Sequence, residues 1–425
     1  MNDRSRAADV LALVPAAAIP LIFLHVRYQP GATVGPASVY ASDVVIAAVV
    51  VAGVAAGWRF GWRPLLPVRA LWICAIALLA IYAISCFWRP FEETSTHLIT
   101  AAKFGEYALL APALVLLLRT RLQLERFLWI FVLWGTAAAG WGVLQFLGVV
   151  NEFEGRRPGQ LEVSFLGNVD FAATAGATLA IGLVGVALAW RSRIVPLAVV
   201  SGLIGVALAA QVLSFGGVVL MAVACLVLGL RARTLTRTRI AVIVGATVLA
   251  GAGVLALRSY DTANFLRFLG IRPAAKNASA TVQTSSQRTM LVYIGFRIWL
   301  DHPALGVGFE RSANRYQPYL ADAKRKFPQA AYAFPSPQHE WGVQDLWVQT
   351  LADTGVAGFV LLAATFVAAF VLAWRVSRTV AGAISLGWIL VAVGTWTGLG
   401  IVAGIPLDAV TWFGFGLAGV ARNVG

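Results

Sequence analysis

The residues best suited to chemistry lie in one stretch, about Arg258 to Gln338, which is polar and basic in a chain otherwise built of long apolar runs. Arg258, Arg267, Arg272, Lys276, Arg288, Arg297, Arg311, Arg315, Lys324, Arg325 and Lys326 face few carboxylates there, a balance that suits an anionic partner or a loop resting on anionic headgroups. From Ser285 to Pro303, apolar residues at 290, 294 and 298 recur at helical spacing, with serines to cap the start and a proline to stop it. The pattern predicts a helix over about 286–301. Arg288 falls in its first turn, where the helix dipole disfavours a cation by some tenths of a kcal/mol unless an anion offsets it. A phosphate there would meet backbone N–H groups and a guanidinium together, an arrangement suited to a diphosphate; the plainer reading is an exposed arginine at a frayed helix end. Arg297 is nine residues on, about 900° round at about 100° per residue, and so faces the other way.

Charged residues inside the apolar runs are few. Lys103 and Glu106, three apart on one face, are expected to pair and to mark the bundle interior or a polar cavity. Asp43 either contacts the polar stretch or caps a helix, and Asp170, after Gly167 and Asn168, either caps the next helix or lines a cavity. Cys74, Cys86 and Cys225 lie in apolar runs at spacings that make no ligand pair, and His25, His97, His302 and His339 are scattered, so neither a metal site nor a disulfide is expected. No Gly-x-x-x-x-Gly-Lys loop or dinucleotide fingerprint occurs, so any glycosyl or phosphoryl donor must arrive already activated, and no cofactor is expected.

The elements that position these residues are set by composition. Of 425 residues, 59% are hydrophobic and only 12% charged, against about a quarter in soluble domains, and mean hydropathy is +0.79. The fold class expected is an all-α integral membrane protein. Apolar stretches near the ~20 residues a spanning helix needs recur at 8–26, 38–58, 66–88, 98–118, 127–150, 170–190, 194–210, 216–230, 240–257, 344–374, 380–403 and 407–421, giving about twelve spans. The run 216–230 is short, and Gln211 to Gly217 reads as an irregular re-entry backed by protein. No cleavable signal peptide is evident. The chain divides into spans 1–9 over 1–257, an extracytoplasmic catalytic loop over 258–343, and spans 10–12 over 344–425.

Arginine placement orients the bundle. With Arg4 and Arg6 cytoplasmic, the clusters Arg59/Arg63/Arg69, Arg119/Arg121/Arg126, Arg191/Arg193, Arg231/Arg233/Arg237/Arg239 and Arg375/Arg378 fall on the same side. Both termini are then cytoplasmic and the insertion lies outside. About half of the 33 Lys+Arg behind the formal charge of +14 are thus topological signals, and a nucleic-acid partner would need a soluble basic surface that is not offered.

The stretch Gln287-Arg288 to Arg297-Ile298-Trp299-Leu300-Asp301-His302-Pro303-Ala304-Leu305-Gly306-Val307-Gly308-Phe309, followed by Leu346-Trp347-Val348-Gln349-Thr350-Leu351-Ala352-Asp353-Thr354-Gly355-Val356-Ala357-Gly358, resembles the hallmark region of the bacterial O-antigen ligase and polymerase superfamily. A third fragment, Gly155-Arg156-Arg157-Pro158-Gly159 to Phe165-Leu166-Gly167-Asn168-Val169-Asp170-Phe171-Ala172, is similar to the family's outer-loop motif, and a dozen spans with one late outer loop match its layout. The likeness covers the loop strongly and the rest mostly through layout. It implies transfer of a glycan from an undecaprenyl-diphosphate carrier, in the bacterial cytoplasmic membrane, to the hydroxyl of a glycolipid or polysaccharide acceptor without a metal. Fixed arginines can stabilise the leaving diphosphate where a metal otherwise would. Arg288 with Arg157, or its neighbour Arg156, forms the implied clamp; the alternative for Arg156 and Arg157 is pairing with Glu152 or Glu154 in a surface turn. Asn168, Asp170, Lys103 and Gln344 are the expected cavity lining.

The acceptor side departs from the pattern. Family ligases carry a histidine eleven residues before the first glycine of Gly-x-x-Gly; counting back from Gly355, that place holds Gln344, followed by Asp345. A neutral glutamine cannot act as general base. His339, Glu340 and Asp345 are the candidates, beside transfer with no side-chain base, and Asp345 could equally cap the helix that begins near Leu346. A flippase or transporter using the same cavity, or a scaffold that binds lipid-linked glycan for another enzyme, would also need the arginines, but no Gly/Pro-broken spans recur in matching halves as inverted repeats require.

Overall fold

The structure is a computed structural model that describes residues 3–87, 94–150, 164–209, 212–257, 266, 271–273, 284–327, 342–397 and 409–424; for 3–6, 168, 212–215 and 284–288 it describes the backbone alone. A helix stands at each of the apolar stretches: α1 (Asp3–Ile22), α2 (Ala41–Phe60), α3 (Arg69–Ser85), α4 (Thr94–Ala108) with α5 (Leu110–Leu117), α6 (Arg121–Phe146), α7 (Asn168–Ala187), α8 (Ile194–Ala209), α9 (Val212–Arg231) and α10 (Arg237–Leu257). The insertion contributes α11 (Thr284–Asp301) and α12 (Gln317–Lys326), and α13 (Leu346–Val376), α14 (Val380–Trp396) and α15 (Ala409–Val424) complete the bundle. Among the described residues, seven helical stretches are long and apolar enough to cross a membrane, and four shorter apolar helices accompany them. The chain is therefore a multi-pass helical membrane protein.

Local chemistry explains the interruptions. Pro112 has no N–H to give the Ala108 carbonyl, and the α4–α5 rod breaks next to that carbonyl, at Leu109. One expectation is corrected. Residues 212–217 are the first turns of α9, so most of the re-entry expected over Gln211 to Gly217 is ordinary helix, and Gln211 lies outside the described residues. Between α1 and α2 the helices are joined by a short hairpin, β1 (Gly31–Val34) and β2 (Ala37–Tyr40), which pairs antiparallel with Gly31 opposite Tyr40, and the fold is otherwise helical among the described residues.

The core lies where α7, α14 and α15 meet. Three buried donors there find acceptors across helices, which a low-dielectric interior favours. The Trp388 indole donates to the Ala177 carbonyl at 3.0 Å, Ser385 Oγ to the Gly414 carbonyl at 2.6 Å, and the Trp396 indole to Thr411 Oγ1 at 3.2 Å.

The bundle has two unlike ends. The α3 C-terminus meets the insertion, since Ser85 Oγ accepts from Phe309 N–H at 3.2 Å. Sixteen residues earlier and about 24 Å away at helical rise, the other end collects cations. There Arg119 donates to the carbonyls of Phe60 and Gly61 at 3.3 and 3.1 Å, closing the α2 C-terminus. The cation-rich turns and the polar insertion thus occupy opposite ends.

Candidate functional site

Helix α11 runs from Thr284 to Asp301, starting two residues earlier than its spacing predicted. Met290, Ile294 and Ile298 are fully buried and pack with Val307, Tyr316, Ala323 and Ala352, so the helical spacing does face a core. Its other face is tied to α12. The Tyr293 hydroxyl donates to Asp322 Oδ2 at 2.7 Å, and Arg297 and Arg325 reach the same carboxylate at 3.7 and 3.4 Å. The hydrogen bond from Tyr293 and the two guanidinium groups hold the Asp322 carboxyl below the ordinary range, against a smaller opposing effect of burial. Arg297 is therefore part of the α11–α12 clasp. Arg288 lies in the second turn of α11, and its side chain is outside the described atoms.

The chain after α11 is inserted into a break in α13. Gly355 sits at φ 64°, ψ −163°, a conformation open essentially to glycine alone, and divides α13 in two. In an intact helix the Ala352 and Asp353 carbonyls would accept from Val356 and Ala357. Instead the loop takes all four partners: Val307 N–H donates to Ala352 O (2.9 Å) and Gly308 N–H to Asp353 O (2.7 Å), while Val356 and Ala357 N–H donate to Pro303 O (2.9 Å) and Ala304 O (3.3 Å). These four backbone groups are thus satisfied by the other hallmark fragment, the condition under which irregular backbone is tolerated in an apolar span. The buried Asp353 side chain completes the junction. Its Oδ1 accepts from Ser312 N–H at 2.9 Å and its Oδ2 from Glu310 N–H at 3.1 Å, so Glu310, Arg311 and Ser312 are buried with it. Phe309 stacks on Tyr82 of α3 with ring centroids 4.6 Å apart and packs edge-on to Phe104 of α4.

Lys103 precedes Phe104 on α4. The expected Lys103–Glu106 pair is not the one that forms: Lys103 Nζ lies 3.1 Å from Asp43 Oδ2 and 5.2 Å from the Tyr40 ring centroid, because α4 packs beside the start of α2. Asp43 also accepts from Tyr40 N–H at 2.8 Å, so of its two readings it is the helix cap. Asp170 is in the first turn of α7, half-buried, at the end the dipole favours for a carboxylate. Asn168 opens the same helix, its side chain lying outside the described atoms.

On the acceptor side, Asp345 caps α13, its Oδ1 accepting from Val348 N–H at 2.9 Å. Burial raises its carboxyl above the ordinary range, and the N–H bonds from Val348 and Trp347 oppose that rise. Gln344 is half-buried immediately before it. His339, Glu340, Arg156 and Arg157 lie outside the described residues. Reading the sequence also missed two groups. Asp353 stood unremarked in an apolar run, although a carboxylate in a span is itself a signal. Arg311, counted with the surface cations, is 6% exposed.

A polytopic helical membrane protein with one large polar insertion locked into a broken span is the class these features define. Residues 197–363 match the model of the family described as O-antigen ligase, and this region belongs to the O-antigen ligase and polymerase superfamily. The matched region contains both fragments that meet at Gly355. It implies a glycosyltransferase-like activity in polysaccharide biosynthesis at a membrane. No curated protein matches the chain.

Proposed function

We propose that the protein transfers a glycan from an undecaprenyl-diphosphate carrier to an acceptor sugar hydroxyl at the outer face of the cytoplasmic membrane. The observation that carries this reading is the mutual docking of the two family fragments at the α13 break, which fixes the start of α13 and the end of α11 against each other. In the proposed step the acceptor oxygen attacks the anomeric carbon, the bond from that carbon to the diphosphate oxygen breaks, and undecaprenyl diphosphate leaves with the electron pair. Arg288 and Arg157, or Arg156, stabilise the growing charge on the diphosphate, so no metal ion is needed. Lys103, Asn168, Asp170 and Gln344 line the cavity. The acceptor proton passes to His339, Glu340 or Asp345, and Asp345 would have to serve while still capping α13.

Gln344, standing where ligases of the family carry histidine, favours a second reading: a polymerase of the same superfamily, with the acceptor a second lipid-linked glycan. The test is purified protein in vesicles with a lipid-diphosphate glycan. Stoichiometric release of undecaprenyl diphosphate supports transfer, and a longer lipid-linked product singles out the polymerase. Binding without release, or passage across the vesicle wall without release, overturns the proposal in favour of a scaffold or a transporter.

A further inference from the structure

The end of the bundle opposite the insertion holds an open crevice of about 370 Å³ between the turn Pro67–Leu71, the α13 segment Ala364–Leu372, and the side chains of Arg375 and Arg422. Ala70, Ala364 and Ala368 leave the slot open, and its rim is apolar and bare, with Val367 60% exposed. Both arginines are exposed in the last turns of α13 and α15, where the helix dipole alone would favour a cation. The dipole does not account for the slot between them. Among the described residues, Arg422 reaches one acceptor, the Pro67 carbonyl, at the 3.5 Å limit of hydrogen bonding, so most of its five donors are open to another acceptor there.

Two of the helical stretches that form the slot, Arg63–Ser85 and α13, are long and apolar enough to cross a membrane, an orientation that would turn its open side to acyl chains and bring its cationic end to headgroup depth. We propose that this crevice binds one anionic phospholipid, an acyl chain along Ala364, Ala368 and Leu71 and the phosphate between Arg375 and Arg422. The match is one of shape and charge together: a narrow apolar channel closed at one end by two guanidinium groups suits a chain ending in an anionic phosphodiester. The site stands apart from the proposed donor cavity, being at the far end of α3 and α13 from Ser85 and Gly355, and does not rest on the transferase reading.

The test is native mass spectrometry of the full chain extracted from vesicles of phosphatidylglycerol and phosphatidylcholine. One phosphatidylglycerol is expected to stay bound, preferred about thirtyfold, the equivalent of about 2 kcal/mol from two cations near the membrane surface. R375Q with R422Q should abolish that preference. A368W, which fills the slot and keeps the charge, should abolish retention. R126Q, at the same end but outside the crevice, should leave both unchanged. Retention of the preference in the double variant, or of the lipid in A368W, overturns the proposal. Equal loss in R126Q assigns the effect to general surface charge, and a second copy of the chain covering the slot after delipidation assigns the face to self-association; either outcome also overturns it.

Discussion

Gly306 and Gly355 interlock: a Cβ on Gly306 would lie 2.3 Å from the Asp353 carbonyl carbon, and one on Gly355 would lie 2.3 Å from the carbonyl carbon of Ala304. Both residues have positive φ, so the crossing is closed to any side chain by space and by backbone conformation at once.

Gly306→Ala and Gly355→Ala should each destabilise the protein by at least about 3 kcal/mol. Gly245→Ala in α10, where a Cβ meets nothing within 4 Å, should be neutral or slightly stabilising. Thermal unfolding of the detergent-purified variants checks this, and an unperturbed midpoint for Gly355→Ala would refute the interlock.

Asp353→Ala should strand the Glu310 and Ser312 amides in the interior, at roughly 1–3 kcal/mol each. Asp353→Asn keeps one acceptor and should fall between Ala and wild type. Amide exchange at residues 310 and 312 reads the effect directly: unchanged protection in Asp353→Ala would show that the carboxylate does not hold this loop.

Asp345 can be tested for its two roles separately. Asn is as good a helix cap as Asp, so Asp345→Asn should keep the stability that Asp345→Ala loses, about 1 kcal/mol. Loss of transfer in Asp345→Asn with stability intact assigns it the base. Full transfer returns the role to His339 or Glu340, where His339→Ala should then lower the rate by on the order of a hundredfold or more.

Arg288→Ala and Arg157→Ala should each abolish release of undecaprenyl diphosphate while leaving expression and donor-free stability intact. Activity near wild type in either variant removes that arginine from the clamp. Arg297→Ala is the contrast, because its partner is Asp322; it should loosen the α11–α12 clasp and leave chemistry nearly untouched.

Acid should open that same clasp. The Asp322 carboxyl is held below its unfolded value, so its contribution is present above the ordinary carboxylate range and is lost as pH falls through the lower, folded value. The protection of amides over 317–326, taken relative to their intrinsic exchange rate at each pH, should therefore fall in acid, and in Asp322→Asn it should be low and independent of pH. A pH-independent wild type would contradict the assignment.

The helices and the extent of α11 were legible because each has a local signature: apolar length, a 290/294/298 stripe, a helix stop at Pro303. The break in α13 was not, since Leu346 to Val376 is one unbroken apolar run and a single glycine within it reads as a tolerated defect. Only the partner loop, more than forty residues away, shows that Gly355 is a junction. The Lys103–Asp43 pair escaped for the same reason: sequence spacing favours neighbours on one helix, whereas the pair that forms depends on which helices lie side by side. The burial of Arg311 follows from Asp353 fixing the residues on either side of it, a constraint no composition records.

The shared hydrogen bonds at Gly355 also impose an order on assembly. Until α13 has left the translocation machinery, the carbonyls of Pro303 and Ala304 and the amides of Val307 and Gly308 have no protein partners and must stay in water. A nascent chain stopped before residue 355 would possess α3, α4 and α11 yet lack the Val356 and Ala357 amides that take the Pro303 and Ala304 carbonyls. On the proposed reading, the chain would be unable to act on lipid-linked glycan while still being made, and would become competent in a single closing step.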